Sequence, residues 1–330
     1  MLYLHGLGHF YPDNVIDNQF LRDLDIGSDE QWILERVGIA ARRTSLPLDY
    51  IRQTKNRDPR AATEASLYSR AGTGAAAAQM ALDRAGIGTE DIGMVISGTS
   101  TPRYTIPAEA SVIAAEMGID APCMDMNAAC STFLVQLAFL DAMAPGKAPG
   151  FILVVNPENY THVVDYSDRR VAPLFGDGTS AAVVSARHPS CYCFESLQYG
   201  SDPASWDRVQ IPSGGHFQQD GSQVQRFAIR KATEGVRRLQ DEYPENRDQF
   251  RFVGHQANLM MLQTVCRRCG IDEARNLYNV VEYGNTGCSS APAVLSQNWE
   301  DLQPCDHIAV AVVGSGLTWG HGMLRVTDSE

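Results

Sequence analysis

The sequence predicts an α/β fold made of two similar halves, on three observations. Strand-like and helix-like patterns alternate from the first residues to about Ser185, which is how α/β layers read. Buried strands end in loops of small residues such as Gly98-Thr99-Ser100-Thr101, and strand ends are where α/β folds gather their chemistry. Stations also repeat. The strand leading to Gly98-Thr99 answers the strand leading to His255, Met126-Asn127-Ala128-Ala129-Cys130 answers Gly284-Asn285-Thr286-Gly287-Cys288, and the Gly176 turn answers the Gly314 turn. Weak identity at matching stations is consistent with a diverged internal duplication. The halves fall at 1–186 and 187–330, with the Gly-, Ser-, Pro- and Gln-rich stretch 187–222 holding the join.

In chain order, 2–8 reads as a strand, and 17–24 and 28–37 read as helices, the second capped by Ser28 with Asp29 and Glu30 in its first turn. Trp32 and Arg36 lie four apart on one face, as a surface stack or as a clamp for a flat ring such as adenine. Residues 44–60 carry prolines and charges without periodicity and read as a loop. An Ala-rich helix spans 70–85, its small side chains suited to close packing, and a buried strand follows at 91–98. Ile106-Pro107-Ala108-Glu109 opens the next helix, with Pro107 in its first turn. Strands are placed at 150–156, 181–185 and 191–197. The Gly176-x-Gly178 turn enters a strand, not a helix, so a dinucleotide-binding reading fails its context.

A long helix at 223–243 has an apolar stripe of Ala228, Ile229, Ala232, Val236 and Leu239. Another face carries Arg226, Arg230 and Arg237, a basic ridge that is either a solvated surface or a dock for an acidic partner. A strand at 250–254 delivers His255-Gln256-Ala257-Asn258 to a helix, 279–281 is again strand-like, and strands at 307–313 and 323–326 close the chain.

Composition narrows the function. With 330 residues and 44% hydrophobic content, the chain has ample core to fold unaided. A net charge of −12 disfavours nucleic-acid and membrane-surface binding. The first residues lack a signal peptide's basic start and apolar core, and no apolar run is long enough to span a bilayer, so a cytoplasmic location is expected. The eight cysteines are then expected to be reduced thiols. Cys266 and Cys269 have a CxxC spacing inside a helical pattern, but no second pair completes a zinc site.

The stretch Asp125-Met126-Asn127-Ala128-Ala129-Cys130 turns a strand into the apolar helix that starts near Phe133. A cysteine there gains from the helix dipole, which favours the thiolate. The alternative is a buried structural cysteine. Only a base and an oxyanion site elsewhere in the chain decide between them.

Five motifs in register supply that. Asn127-Ala128-Ala129-Cys130, Phe175-Gly176-Asp177-Gly178, Val253-Gly254-His255-Gln256-Ala257-Asn258, Tyr283-Gly284-Asn285-Thr286 and Gly316-Leu317-Thr318-Trp319-Gly320 together resemble β-ketoacyl-acyl-carrier-protein synthase III and its relatives in the thiolase superfamily. The resemblance runs nearly end to end. It implies a five-layered αβαβα thiolase-like fold, two pseudo-equivalent halves and a homodimer.

The resemblance also implies roles. Cys130 is the nucleophile, which takes an acyl group from an acyl-CoA or acyl-carrier protein. His255 and Asn285 would stabilise the enolate of a second thioester, malonyl- or β-ketoacyl-carrier protein, in a Claisen condensation. The backbone N–H groups of Cys130 and Ser315 would form the oxyanion hole. Trp32, Arg36, Arg169 and Asn258 would bind CoA or pantetheine, and Arg226, Arg230, Arg267 and Arg268 would dock acyl carrier protein. No metal or redox cofactor is implied. Asn285 in place of an acid favours carbon–carbon bond formation, and the Gly314-Ser315-Gly316 loop lacks a thiolase's second cysteine, which leaves Cys288 structural.

Departures from the housekeeping pattern point to a specialised fatty-acid or polyketide-type pathway. Met260 stands where an arginine usually docks carrier, and the 44–60 loop is long, as in members that make pyrones or dialkylresorcinols. Ile106 stands where a bulky aromatic reaches across the dimer to cap the partner's acyl pocket, and where olefin-pathway relatives place a glutamate base. Two rivals stay open: an acyltransferase making an ester or amide through Cys130, and a non-catalytic partner subunit.

Overall fold

The structure, a computed structural model, describes residues 1–144 and 146–328. The strands are β1 Leu2–Phe10, β2 Asn14–Asp17, β3 Ala41–Thr44, β4 Ile92–Ser97, β5 Cys123–Asp125, β6 Phe151–Asn159, β7 Asp177–Ser185, β8 Tyr192–Ser201, β9 Val209–Gln210, β10 Gln218–Gln219, β11 Arg251–Gly254, β12 His307–Gly314 and β13 Thr318–Val326. The helices are α1 Asn18–Asp23, α2 Glu30–Val37, α3 Leu48–Thr54, α4 Pro59–Ala65, α5 Arg70–Ala85, α6 Glu109–Met117, α7 Thr132–Asp141, α8 Gly221–Glu242, α9 Leu259–Cys269, α10 Val280–Tyr283 and α11 Ser290–Gln297.

Among the described residues nine strands hydrogen-bond in the order β11-β12-β13-β8-β1-β7-β6-β4-β5. The pairs β4–β5, β4–β6 and β11–β12 are parallel and the others antiparallel, so the sheet is mixed. Strand β1 joins two half-sheets. Tyr3 to Phe10 run antiparallel to β7, and Leu2, Tyr3 and Leu4 also face Phe194, Cys193 and Tyr192 of β8.

The cores fall into layers. Helices α5 and α6 cover one half-sheet with Ala77, Ala78, Ala81, Leu82 and Ile113 against Val95, Leu153 and Val183. The small residues are there because α5 rides directly on β1: a Cβ on Gly6 or Gly8 would strike the carbonyl oxygens of Ala81 and Ala77. Helices α7 and α11 are sandwiched between the half-sheets, Phe133, Leu137, Val294 and Leu295 packing with Leu4, Val154, Val310 and Leu324. Helices α8 and α9 cover the far side with Val236, Leu239, Leu262 and Val265 against Phe252, Ala309 and Met323. The order is helix, sheet, helix, sheet, helix, which buries both faces of each half-sheet. Among the described residues no helix is long and apolar enough to cross a membrane.

Several local expectations are corrected. The cap of α2 is Asp29, not Ser28: its carboxylate accepts the Trp32 N–H at 2.7 Å. The 44–60 stretch is not a loop but holds α3 and the start of α4, the latter capped by Asp58 with Pro59 at its first position. Pro107 lies outside α6, in a cis peptide with Ile106. The helix starts at Glu109 because the Asp125 carboxylate of β5 accepts the Glu109 and Ala110 N–H groups at 2.7 and 3.0 Å. Residues 279–281 are not a strand. They enter α10, a single turn in which Val280 is buried in the α8–α9 core and the Val281 carbonyl accepts the Ala40 N–H at 2.7 Å.

Candidate active site

Cys130 sits on a tight elbow between β5 and α7. The residue before it, Ala129, has φ +50°, a left-handed conformation that costs an L-residue on the order of 1–2 kcal/mol. The elbow is held by its neighbours. Asn127 Oδ1 accepts the Ala129 N–H at 2.8 Å, and Thr132 Oγ1 accepts the Ala128 N–H at 2.8 Å and donates to the Ala129 carbonyl at 2.6 Å. Gly314, at the end of β12, packs its backbone onto the same elbow. A Cβ there would lie 2.9 Å from the Cys130 nitrogen, so glycine is required for the approach. Thr318 Oγ1 donates between the Ala128 and Ser315 carbonyls, 3.0 Å from each, and so ties the Ser315 loop to the elbow.

His255 follows β11. Its N–H donates to the Ala311 carbonyl of β12 at 2.9 Å, so it leaves the sheet beside the strand that carries Gly314. The side chain is buried, and among the described residues Nδ1 has no hydrogen-bond partner. Burial lowers its pKa from 6.5 to about 4, so the imidazole is neutral at ordinary pH. The sign follows. Between pH 6.5 and 4 the unfolded chain binds a proton at His255 that the folded chain refuses, so stability falls as pH drops through this window. The full contribution is about 3 kcal/mol. Denaturant titrations at pH 7 and pH 4.5 are expected to show a smaller loss for His255→Ala than for wild type.

Asn285 reaches the site on a loop buttressed by Gly176, whose N–H donates to the Asn285 carbonyl at 3.1 Å. Asn285 Oδ1 accepts the Gly287 N–H at 2.9 Å. With its oxygen so engaged, the amide presents its NH2 end as the donor. Gln256 Oε1 accepts the Asn279 N–H at 3.2 Å, which links the His255 loop to the segment leading to Asn285.

Behind Cys130 the structure places residues that stand outside the five motifs. Strand β6 runs on to Asn159, three residues beyond the expected end, and carries Glu158 and then Tyr160 into the site. Glu158 is buried, and its carboxylate accepts from the Ser100 N–H at 3.0 Å, Thr99 Oγ1 at 3.1 Å and Cys288 Sγ at 3.1 Å. Cys288 is thus a buried thiol bonded to Glu158. Position on a strand end was the signal that could have found Glu158 and Tyr160.

At Cys130 burial works against the helix dipole. Burial, reinforced by Glu158, pushes its thiol up to about 12, outweighing the Tyr160 hydroxyl and its own backbone N–H, which act the other way. Gly287 sets the spacing here. It has φ +60°, and a Cβ would strike the Tyr160 ring and lie 2.8 Å from Glu158 Oε1. Gly287→Ala is expected to cost about 3 kcal/mol, read as a lower denaturant midpoint.

The remaining expected residues fall into three groups. Arg169 lies on Trp32, its guanidinium carbon 4.4 Å from the ring centre, and Arg36 is 6.0 Å away. Asn258 caps α9, its Oδ1 accepting the Met261 N–H at 2.8 Å. Arg226, Arg230, Arg267 and Arg268 are exposed on α8 and α9. Arg237 joins the two helices by donating to the Arg268 carbonyl at 2.9 Å, and Arg230 is partly offset by Glu234 at 3.4 Å. Ile106 is 83% exposed.

The layered halves with a cysteine elbow at their centre define the class: a thiolase-like condensing enzyme, an acyltransferase. Comparison with known proteins gives the family. Residues 124–203 match the family described as 3-oxoacyl-[acyl-carrier-protein (ACP)] synthase III, and residues 239–326 match its C-terminal part. The β-ketoacyl-[acyl-carrier-protein] synthase III of Dinoroseobacter shibae is 31% identical, with 97% of each chain covered. That of Chlamydia pneumoniae is 29% identical over 96% of this chain and 95% of its own. Among solved structures, the 3-oxoacyl-[acyl-carrier-protein] synthase III of Aquifex aeolicus superposes with a TM-score of 0.86 at 25% identity, covering 98% of this chain and 100% of its own. The priming β-ketosynthase of the R1128 polyketide pathway superposes at 0.83 and 27% identity, covering 100% and 97%. The chain belongs to the 3-oxoacyl-[acyl-carrier-protein] synthase III family.

Proposed function

We propose that the protein loads an acyl group from an acyl-CoA or acyl-carrier protein onto Cys130 and condenses it with a malonyl- or β-ketoacyl-carrier protein, in fatty-acid or polyketide-type biosynthesis. The observation that carries this is the Asn285 amide, held by Gly287 so that its NH2 end is a donor, on a loop tied to that of the neutral His255. Two neutral donors suit an enolate oxygen, whose charge appears only as the reaction proceeds. The Cys130 and Ser315 N–H groups receive the oxygen of the attacked carbonyl. Carbon–sulfur cleavage and carbon–carbon formation then balance without a cofactor: a malonyl unit loses carbon dioxide, whereas a β-ketoacyl unit loses an α-proton, which ends on the departing Cys130 thiolate.

The exposed arginines of α8 and α9 give an acidic carrier protein a basic landing face in a chain of net charge −12. Trp32 with Arg169 offers a stack for the adenine of CoA, with Arg169 swinging off the ring to admit it. Exposed Ile106 suits a homodimer in which each protomer closes the other's acyl pocket. A cytoplasmic location fits these substrates.

The test is product analysis after incubation with acyl-CoA donors of graded length and malonyl-carrier protein. A β-ketoacyl-carrier protein two carbons longer is the expected product. An ester or amide without a new carbon–carbon bond would favour acyl transfer to oxygen or nitrogen. No turnover from any donor by folded protein would leave the partner-subunit reading.

A further inference from the structure

We infer that Tyr160 is a further catalytic residue, its hydroxyl donating a hydrogen bond to Cys130 Sγ and stabilising the charge that gathers on sulfur; this rests on Cys130 being the nucleophile. The phenol is 2% exposed, and a buried hydroxyl must place its proton on some acceptor. Cys130 Sγ lies 3.8 Å from the oxygen, a hydrogen-bonding distance for the large sulfur atom, and the Ser100 side chain also adjoins the phenol.

The ring is fixed from several sides. It stacks on Phe175 with centroids 4.7 Å apart and planes 15° apart, and meets Phe217 edge-on at 6.2 Å. Gly287 closes the other side, where any side chain would collide with the ring. A donor held this rigidly needs no reorganisation when charge develops beside it.

The need for such a donor is local. Around the sulfur, burial and the Glu158 carboxylate both disfavour a thiolate. In loading, Sγ attacks the donor thioester, the Sγ–C bond replaces the donor's C–S bond, and the thiol proton ends on the departing thiol. In condensation, the carbon nucleophile attacks the same carbonyl, the Sγ–C bond breaks, and Cys130 leaves with the electron pair before taking a proton from water. Sulfur bears negative charge in both steps while the O–H points at it. Tyrosine keeps its proton throughout, as burial pushes its pKa well above the usual value.

Tyr160→Phe keeps the ring and its stack and removes only the hydroxyl. The full-length protein would be alkylated with iodoacetamide across a pH series, with Cys130 adduct followed by intact-protein mass spectrometry, and acyl loading from an acyl-CoA timed in parallel. The alkylation profile is expected to move up by about one pH unit and loading to slow about tenfold. Installing 3,5-difluorotyrosine at position 160, a stronger donor of nearly the same size, is expected to move the profile the opposite way. Superimposable profiles and loading rates in folded Tyr160→Phe, or no shift with the fluorinated residue, would overturn the role of Tyr160 and leave Cys130 as nucleophile. A wild-type Cys130 that takes neither reagent nor acyl group would overturn both.

Discussion

Replacing Cys130 by alanine is expected to lower condensation by about 10⁴-fold or more and to abolish the acyl adduct. The reasoning is geometric. The elbow is held by Asn127, Thr132, Thr318 and the bare backbone of Gly314, none of which bonds to the sulfur. The alanine chain therefore keeps the elbow and its N–H donors and loses the atom that carries the acyl group and faces the Tyr160 hydroxyl. Initial rates and intact mass, taken on one preparation whose melting temperature matches wild type, measure the effect. A variant that retained more than about a hundredth of the wild-type rate would sink the covalent route.

The second large effect belongs to His255 and Asn285. Alanine at either position is expected to slow condensation by about 10²- to 10³-fold, the loss typical of one oxyanion donor. The double variant should lose less than the product of the two, because both act on one oxygen. Loading of Cys130 should change far less, since that carbonyl is served by other N–H groups. Single-turnover assays separate the two steps. Equal losses in loading and condensation would mean that the pair does not serve the enolate. Asn285→Asp should resemble Asn285→Ala, because a carboxylate offers lone pairs where the amide offers protons.

The sequence was legible where pattern and chemistry coincide. The cysteine, histidine and asparagine stand in short motifs at the ends of strands, and the layered fold follows from alternating periodicities. Trp32 and Arg169 are 137 positions apart, yet they meet in the structure, where only the resemblance had paired them. What stayed hidden depends on where elements stop. Pro47 and Pro59 read as breakers, but each precedes or opens a short helix, and Asp58 beside Pro59 was a start signal left unused. The start of α6 was set by Asp125, a cap from a strand fifteen residues downstream of Ala110, which no local rule contains. Tyr160 is hidden because the apolar pattern of β6 stops at Asn156, although the strand runs on to Asn159 and turns into the site. At Cys130 the helix start is visible in sequence, whereas desolvation and Glu158, which act against it, are not.

The double role of β1 bears on how the chain comes to be folded. This strand precedes its partners by a long stretch of chain: Tyr3 waits for Ser185, and Leu2 for Phe194. Until they are made, an apolar strand with unpaired edges stays open while most of the first half of the protein is synthesised. Pairings of such long range make for slow maturation. Strand β1, though remote from the chemistry, is thus a segment whose pairing comes late in assembly.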